Sequence, residues 1–142
     1  MPTAESKIRS LLRQCEYYGL DGRVRVAALP HCILYSAYNG IGPSWLPDIV
    51  RDAYTALHAD FEPAALIHDI DFEFGDGTHE AFAAANERFL ANCRIIAKAK
   101  YAWYDPRRYI RLHQARAMYR LLVLFGWPAY KAARAKHTAS VE

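Results

Sequence analysis

The chain has 142 residues, 53% of them hydrophobic and 23% charged, enough for one domain with its own core and too apolar for a disordered segment. The net charge of +3 hides an asymmetry: residues 1–93 hold 7 of the 18 basic and 13 of the 15 acidic side chains, a net −6, while 94–142 hold 11 and 2, a net +9. Three cysteines, Cys15, Cys32 and Cys93, without C-x-x-C spacing exclude a disulfide framework and a zinc cluster and read as buried free thiols.

In chain order, residues 4–18 predict a helix with Ile8, Leu11, Leu12 and Cys15 on one face, ended by Gly19. Charges run through this N-terminus, which has no apolar core of signal-peptide length. No later stretch approaches the roughly 20 apolar residues of a bilayer span. A soluble chain, cytoplasmic in the producing cell, is the expectation. VRVAAL and CILYSAY, separated by Pro30, read as β-leaning or extended pieces.

The glycine-rich stretch YNGIGP, 38–43, follows. From Pro47 the pattern turns helical, with Ile49, Val50, Ala53, Tyr54 and Leu57 at helical spacing as far as about Ala59. Pro63 suits the first position of another helix and Gly75 its stop. Thr78 is the expected N-cap of a long helix reaching about Lys98. A last helix runs from about Arg107 to Phe125, stops at Gly126 and resumes after Pro128. The fold class is therefore mostly α, a single domain over 1–142. At its centre is an antiparallel helix hairpin, preceded by a glycine-rich loop and flanked by N- and C-terminal helices.

If the two helices around Gly77 run antiparallel, residues equidistant from the turn face one another, and His68 meets Asn86. Phase agrees: Asn86 lies on the stripe of Phe82, Phe89, Cys93 and Ile96, and His68 on that of Ala64, Ala65 and Phe72. Burying either polar group alone costs about 1–3 kcal/mol, so pairing is the cheap solution. Such a pair is either a satisfied core contact or chemistry. Asp69 follows His68, turned about 100° around the helix, and puts a carboxylate beside the imidazole.

Calcium takes six to eight oxygens, often backbone carbonyls together with a carboxylate. Glycine at alternate positions frees a loop to aim its carbonyls at one point. In 38–42 the carbonyls of Tyr38, Gly40 and Gly42 are candidates, with Asp69 as the carboxylate.

The loop Y-x-G-x-G, a helix bearing His68-Asp69-x-x-aromatic, and a second helix with a polar residue facing the histidine together resemble the catalytic core of the phospholipase A2 superfamily. The disulfide-free form is closer to the phospholipase domains of viral capsid proteins than to secreted enzymes. It is also similar to small phage and prophage proteins with an NG-x-GP loop. The resemblance covers about 38–93; residues 94–142 form a basic helical extension outside it. It implies a calcium-dependent ester hydrolase acting on phospholipid, phage or prophage encoded. Tyr38, Gly40, Gly42 and Asp69 would be the calcium ligands, and His68 the base that takes a proton from water, with Asn86 its partner.

Asn86 stands where the family usually has Asp, and Phe72 where a tyrosine commonly supports that acid. The gap from loop to His68 is also long. The alternative is a non-catalytic virion structural or interaction protein that keeps the fold. The expected partner is a phospholipid or membrane surface, contacted by Trp45, Leu46 and the cluster Tyr101, Trp103, Tyr104, Arg107, Arg108 and Tyr109, with virion proteins as a further candidate. Basic and aromatic side chains also suit single-stranded nucleic acid, but no nucleic-acid motif accompanies them and that partner is not expected.

Overall fold

The computed structural model describes residues 3–38 and 48–132, the side chains of residue 4 and of 48–59 excepted. It is helical throughout, with no strand among the described residues. The order is α1 (Ala4–Tyr18), α2 (Arg23–Ala27), α3 (His31–Ala37), α4 (Asp48–Glu73), α5 (His79–Lys100) and α6 (Pro106–Phe125). A further helical stretch, α7, covers 127–132.

α1 begins where Thr3 accepts a hydrogen bond from the Ser6 amide at 3.1 Å and ends at Gly19 in the left-handed region. Its expected stripe is the buried one: Ile8, Leu11 and Cys15 enter the core and Leu12 packs at its margin.

The two segments expected to be extended are short helices instead. A lone strand would leave its amides and carbonyls without partners. In α2 and α3 local bonds meet that need, Val26 N–H to the Gly22 carbonyl at 3.2 Å and Leu34 N–H to the Pro30 carbonyl at 3.2 Å. Each then contributes one anchor, Val26 and Leu34, to the core. The β-branched composition of VRVAAL was misleading because a single turn needs only one inward side chain.

The second correction concerns α4. Two helices, one ending near Ala59 and one starting at Pro63, are a single helix with Pro63 inside it. An interior proline costs a hydrogen bond and about 3 kcal/mol. Continuity offsets that because it buries both sides of the proline, Phe61 before it and Ala64, Leu66 and Ile67 after it. The Cys15 thiol also reaches the Pro63 carbonyl at 3.6 Å.

α4 and α5 run antiparallel: Phe72 meets Phe82, His68 meets Asn86, and Asp60 meets Lys100, one number falling as the other rises. Thr78 caps α5 by accepting from the Ala81 amide at 3.1 Å. The turn is set by two glycines. A Cβ at Gly75 would collide with the Tyr130 ring, and Gly77, at φ +89°, donates its N–H to Tyr130 Oη at 2.8 Å. α6 starts with Asp105 as N-cap and Pro106 in its first turn, and Ala115 and Met118 place it in the same core as α1. The described part of the basic extension, 94–132, is thus packed into one body with α1 and α4. No described helix is long and apolar enough to cross a membrane.

Two of the cysteines, Cys15 and Cys93, are buried as expected, but Cys32 is exposed. Burial pushes the Cys15 thiol up to about 12 and raises Cys93 as well, leaving both protonated.

Candidate functional site

The site is built from facing positions of α4 and α5. His68 Nε2 and Asn86 Oδ1 lie 2.9 Å apart, with His68 7% exposed and Asn86 fully buried. An amide oxygen only accepts, so Nε2 carries the proton and Nδ1 keeps its lone pair. Nδ1 has no hydrogen-bond partner among the described residues.

Aromatic rings hold the imidazole on its other sides. Phe72 lies 4.2 Å from it and Phe89 5.2 Å, centroid to centroid. Behind Phe72 stands Tyr130 at 5.3 Å, and beyond Phe82 stands Trp127, itself stacked on His79 at 3.9 Å. Burial draws the His68 pKa down to about 4, and the Asn86 hydrogen bond restores only part of the loss. At pH 7 the imidazole is therefore neutral, available as a proton acceptor but a weak one.

Asn86 is only half satisfied. Its Nδ2, buried like the rest of the side chain, has no partner among the described residues. The hydroxyl absent from Phe72 is not replaced by Tyr130, whose oxygen accepts from the Gly77 amide and makes no hydrogen bond to His68 or Asn86 among the described residues.

Asp69 is half-buried one step around α4. Burial, and then the charge of Glu73 one turn on, push its carboxyl up to about 8. An acid so placed gains from a cation. Tyr38 is the C-cap of α3, and its hydroxyl donates to Glu62 at 2.9 Å. Glu62 lies seven residues before Asp69, on the same face of α4. Gly40 and Gly42, like Trp45 and Leu46, lie outside the described residues. Among the described residues no three His, Cys, Asp or Glu side chains converge as a metal site, and the calcium set expected from the sequence asks for one carboxylate and main-chain oxygens.

Asp71, close to His68 in sequence, does not supply charge to it. Its carboxylate is engaged by Arg88 at 2.9 Å and Arg25 at 3.4 Å.

Sequence reasoning missed two buried polar groups. Asp60 accepts from Lys100 at 2.5 Å, Tyr101 at 2.8 Å and Arg111 at 2.5 Å, tying α4 to the ends of α5 and α6. Asn92 accepts from the Asp21 amide at 2.9 Å and donates to the Asp21 carbonyl at 3.0 Å. For Asn92 a signal existed, since it falls on the inward side of α5 beside Phe89 and Cys93. The Asp60 partners lie 40 or more residues away, and no local pattern marks them.

No protein-family model, curated protein or solved structure matches this chain.

Proposed function

We propose that the chain is a calcium-dependent, phospholipase A2-like ester hydrolase acting on phospholipid. The observation that carries the reading is the His68 Nε2 to Asn86 Oδ1 contact of 2.9 Å, which directs the unprotonated Nδ1 away from the partner helix. His68 then takes a proton from a water attacking the ester carbonyl, and Asn86 holds the tautomer that makes this possible. Calcium, when bound, polarises the ester carbonyl and stabilises the oxyanion. Asp69 with the carbonyls of Tyr38, Gly40 and Gly42 would hold it. The raised Asp69 carboxyl supports this, because a divalent ion would offset the burial that chiefly raises it as well as the charge of Glu73. A phage or prophage origin belongs to the same reading.

Asn86 cannot neutralise an imidazolium as a carboxylate would, and the low basicity of His68 follows in part from that. The orphaned Asn86 Nδ2 and the Phe72 ring against His68 favour a second reading, a non-catalytic virion structural or interaction protein that keeps the hairpin. Fatty-acid release from phosphatidylcholine vesicles, with calcium or with chelator, separates the two. The enzyme reading expects release that chelator abolishes and excess calcium restores; equal and negligible release in both conditions would leave the non-catalytic reading. Calcium titration of Asp69→Ala checks the ligand set, since undiminished affinity would remove Asp69 from it.

A further inference from the structure

We propose that the cleft between α5 and α6 is a binding site for a phosphate-bearing ligand, separate from the His68 site. The turn at 101–105 folds α6 back along α5, so that Arg94 and Lys98, one helical turn apart, face Tyr109, Leu112, His113 and Arg116. Together they line an open cleft of about 410 Å³, the size of a small-ligand site. A second hollow of about 380 Å³ shares His113 and Arg116 and adds Arg120.

The cations of this cleft lack a counter-charge among the described residues, unlike several of their neighbours. Lys100 and Arg111 are held by Asp60, Arg107 by Asp105, and Arg88 by Asp71 and Asp21. Among the described residues Arg94, Lys98, Arg116 and Arg120 make no ion pair, and no described carboxylate lines either hollow. Nor does α6 contain an acidic residue. Like charges at i, i+4, as in Arg94 and Lys98, are mutually destabilising on a helix. A cluster kept without a carboxylate is relieved by an anion from outside.

The kind of anion follows from charge and shape. Three fixed positive charges on two helix faces exceed what one carboxylate neutralises, whereas a phosphate monoester or pyrophosphate brings two or more negative charges. Arginine forks hold phosphate oxygens in pairs, and lysine adds a point charge. Tyr109, 55% exposed at the rim, offers a ring face to whatever carries the phosphate. Two sources share this chemistry, a free phosphorylated compound and the headgroup of an anionic lipid.

The test uses the whole chain in chelator, so that vesicles are not consumed. Inorganic pyrophosphate is titrated calorimetrically at low salt. Sedimentation is measured with phosphatidylcholine vesicles, with and without phosphatidic acid. Lys98→Gln with Arg116→Gln is compared with Arg13→Gln with Lys131→Gln, exposed positions on α1 and α7 that remove equal charge. Saturable binding that falls about tenfold or more in the first variant and less than about twofold in the second is expected. Pyrophosphate binding without a phosphatidic acid preference assigns a free compound, and the preference itself, lost in the first variant, assigns the headgroup. Absence of saturable binding to both probes, equal losses in the two variants, or binding only to a single-stranded oligonucleotide would overturn the proposal.

Discussion

The two ends of the α4–α5 hairpin treat buried polar groups in opposite ways. Far from the turn, Asp60 is ringed by three donors; burial alone would raise its carboxyl, but hydrogen bonds from Lys100, Tyr101 and Arg111 outweigh that and lower it. Midway, Asn92 has both ends of its amide satisfied by the backbone of Asp21. Near the turn, Asn86 has one end paired and one orphaned, His68 is held neutral, and Asp69 carries a raised carboxyl. Buried polar groups serving only stability are normally satisfied. Groups with displaced pKa values and spare bonding capacity collect where chemistry is done. The difference marks His68, Asp69 and Asn86 as the candidate site; Asp71, ion-paired to Arg88 and Arg25, also has an orphaned oxygen but makes no hydrogen bond to His68 among the described residues.

Four substitutions test that contrast through stability. Asp60→Ala, which strips partners from two cations and a buried hydroxyl, should cost about 3–5 kcal/mol in urea unfolding at pH 7, the largest effect of the set. Because the folded-state Asp60 pKa is depressed, its contribution is complete above the unfolded-state value of about 3.9 and is lost as pH falls through the folded one. The gap between wild type and variant should therefore close in acid. Asn92→Ala, removing two bonds and leaving the Asp21 backbone to find water, should cost about 2 kcal/mol. Asn86→Ala should cost less, about 1 kcal/mol, because the deletion orphans His68 Nε2 but also removes the orphaned Nδ2. Equal costs at 86 and 92 would erase the distinction between the two asparagines.

The smallest stability effect should carry the opposite sign. With the Asp69 carboxyl raised to about 8, the folded state binds the proton more tightly than the unfolded state, and stability falls as pH rises between about 4 and 8. His68, lowered to about 4, works the other way up to about 6.5. Above that, of these two groups, Asp69 alone acts. In chelator, Asp69→Asn should therefore melt higher than wild type at pH 7.5, with the gain shrinking toward pH 4. A lower melting temperature at pH 7.5 would mean that the Asp69 carboxylate is already neutralised by other groups.

Much of the site's frame was legible because its signals are local. Helix period, the Thr78 cap and the glycine turn put His68 opposite Asn86 without any long-range information. Where the reading went wrong, the deciding contacts lay elsewhere: α4 runs through Pro63 because packing on both sides outweighs a local breaker, and α2 and α3 are helical because each has one anchor to bury. The Asp60 clasp, and the use of Tyr130 to brace Gly75 and Gly77, join residues too far apart in sequence for any spacing rule. Gly40 and Gly42, which began the calcium reading, lie outside the described residues, and that part of the site still rests on the sequence.

Restoring a carboxylate sharpens the comparison from the chemical side. Asn86→Asp should give His68 an ionic partner and raise its basicity, and ester hydrolysis should rise with it; an unchanged rate would mean that Asn86 does not limit the base. The most direct measurement is calcium-dependent fatty-acid release from phosphatidylcholine vesicles by wild type and by His68→Gln, side by side at saturating calcium. Release by wild type that falls by about two to four orders of magnitude in His68→Gln, the usual worth of a general base, is the predicted result. Release that is the same in both, or that exceeds background in neither, would contradict the assignment of His68 as the base.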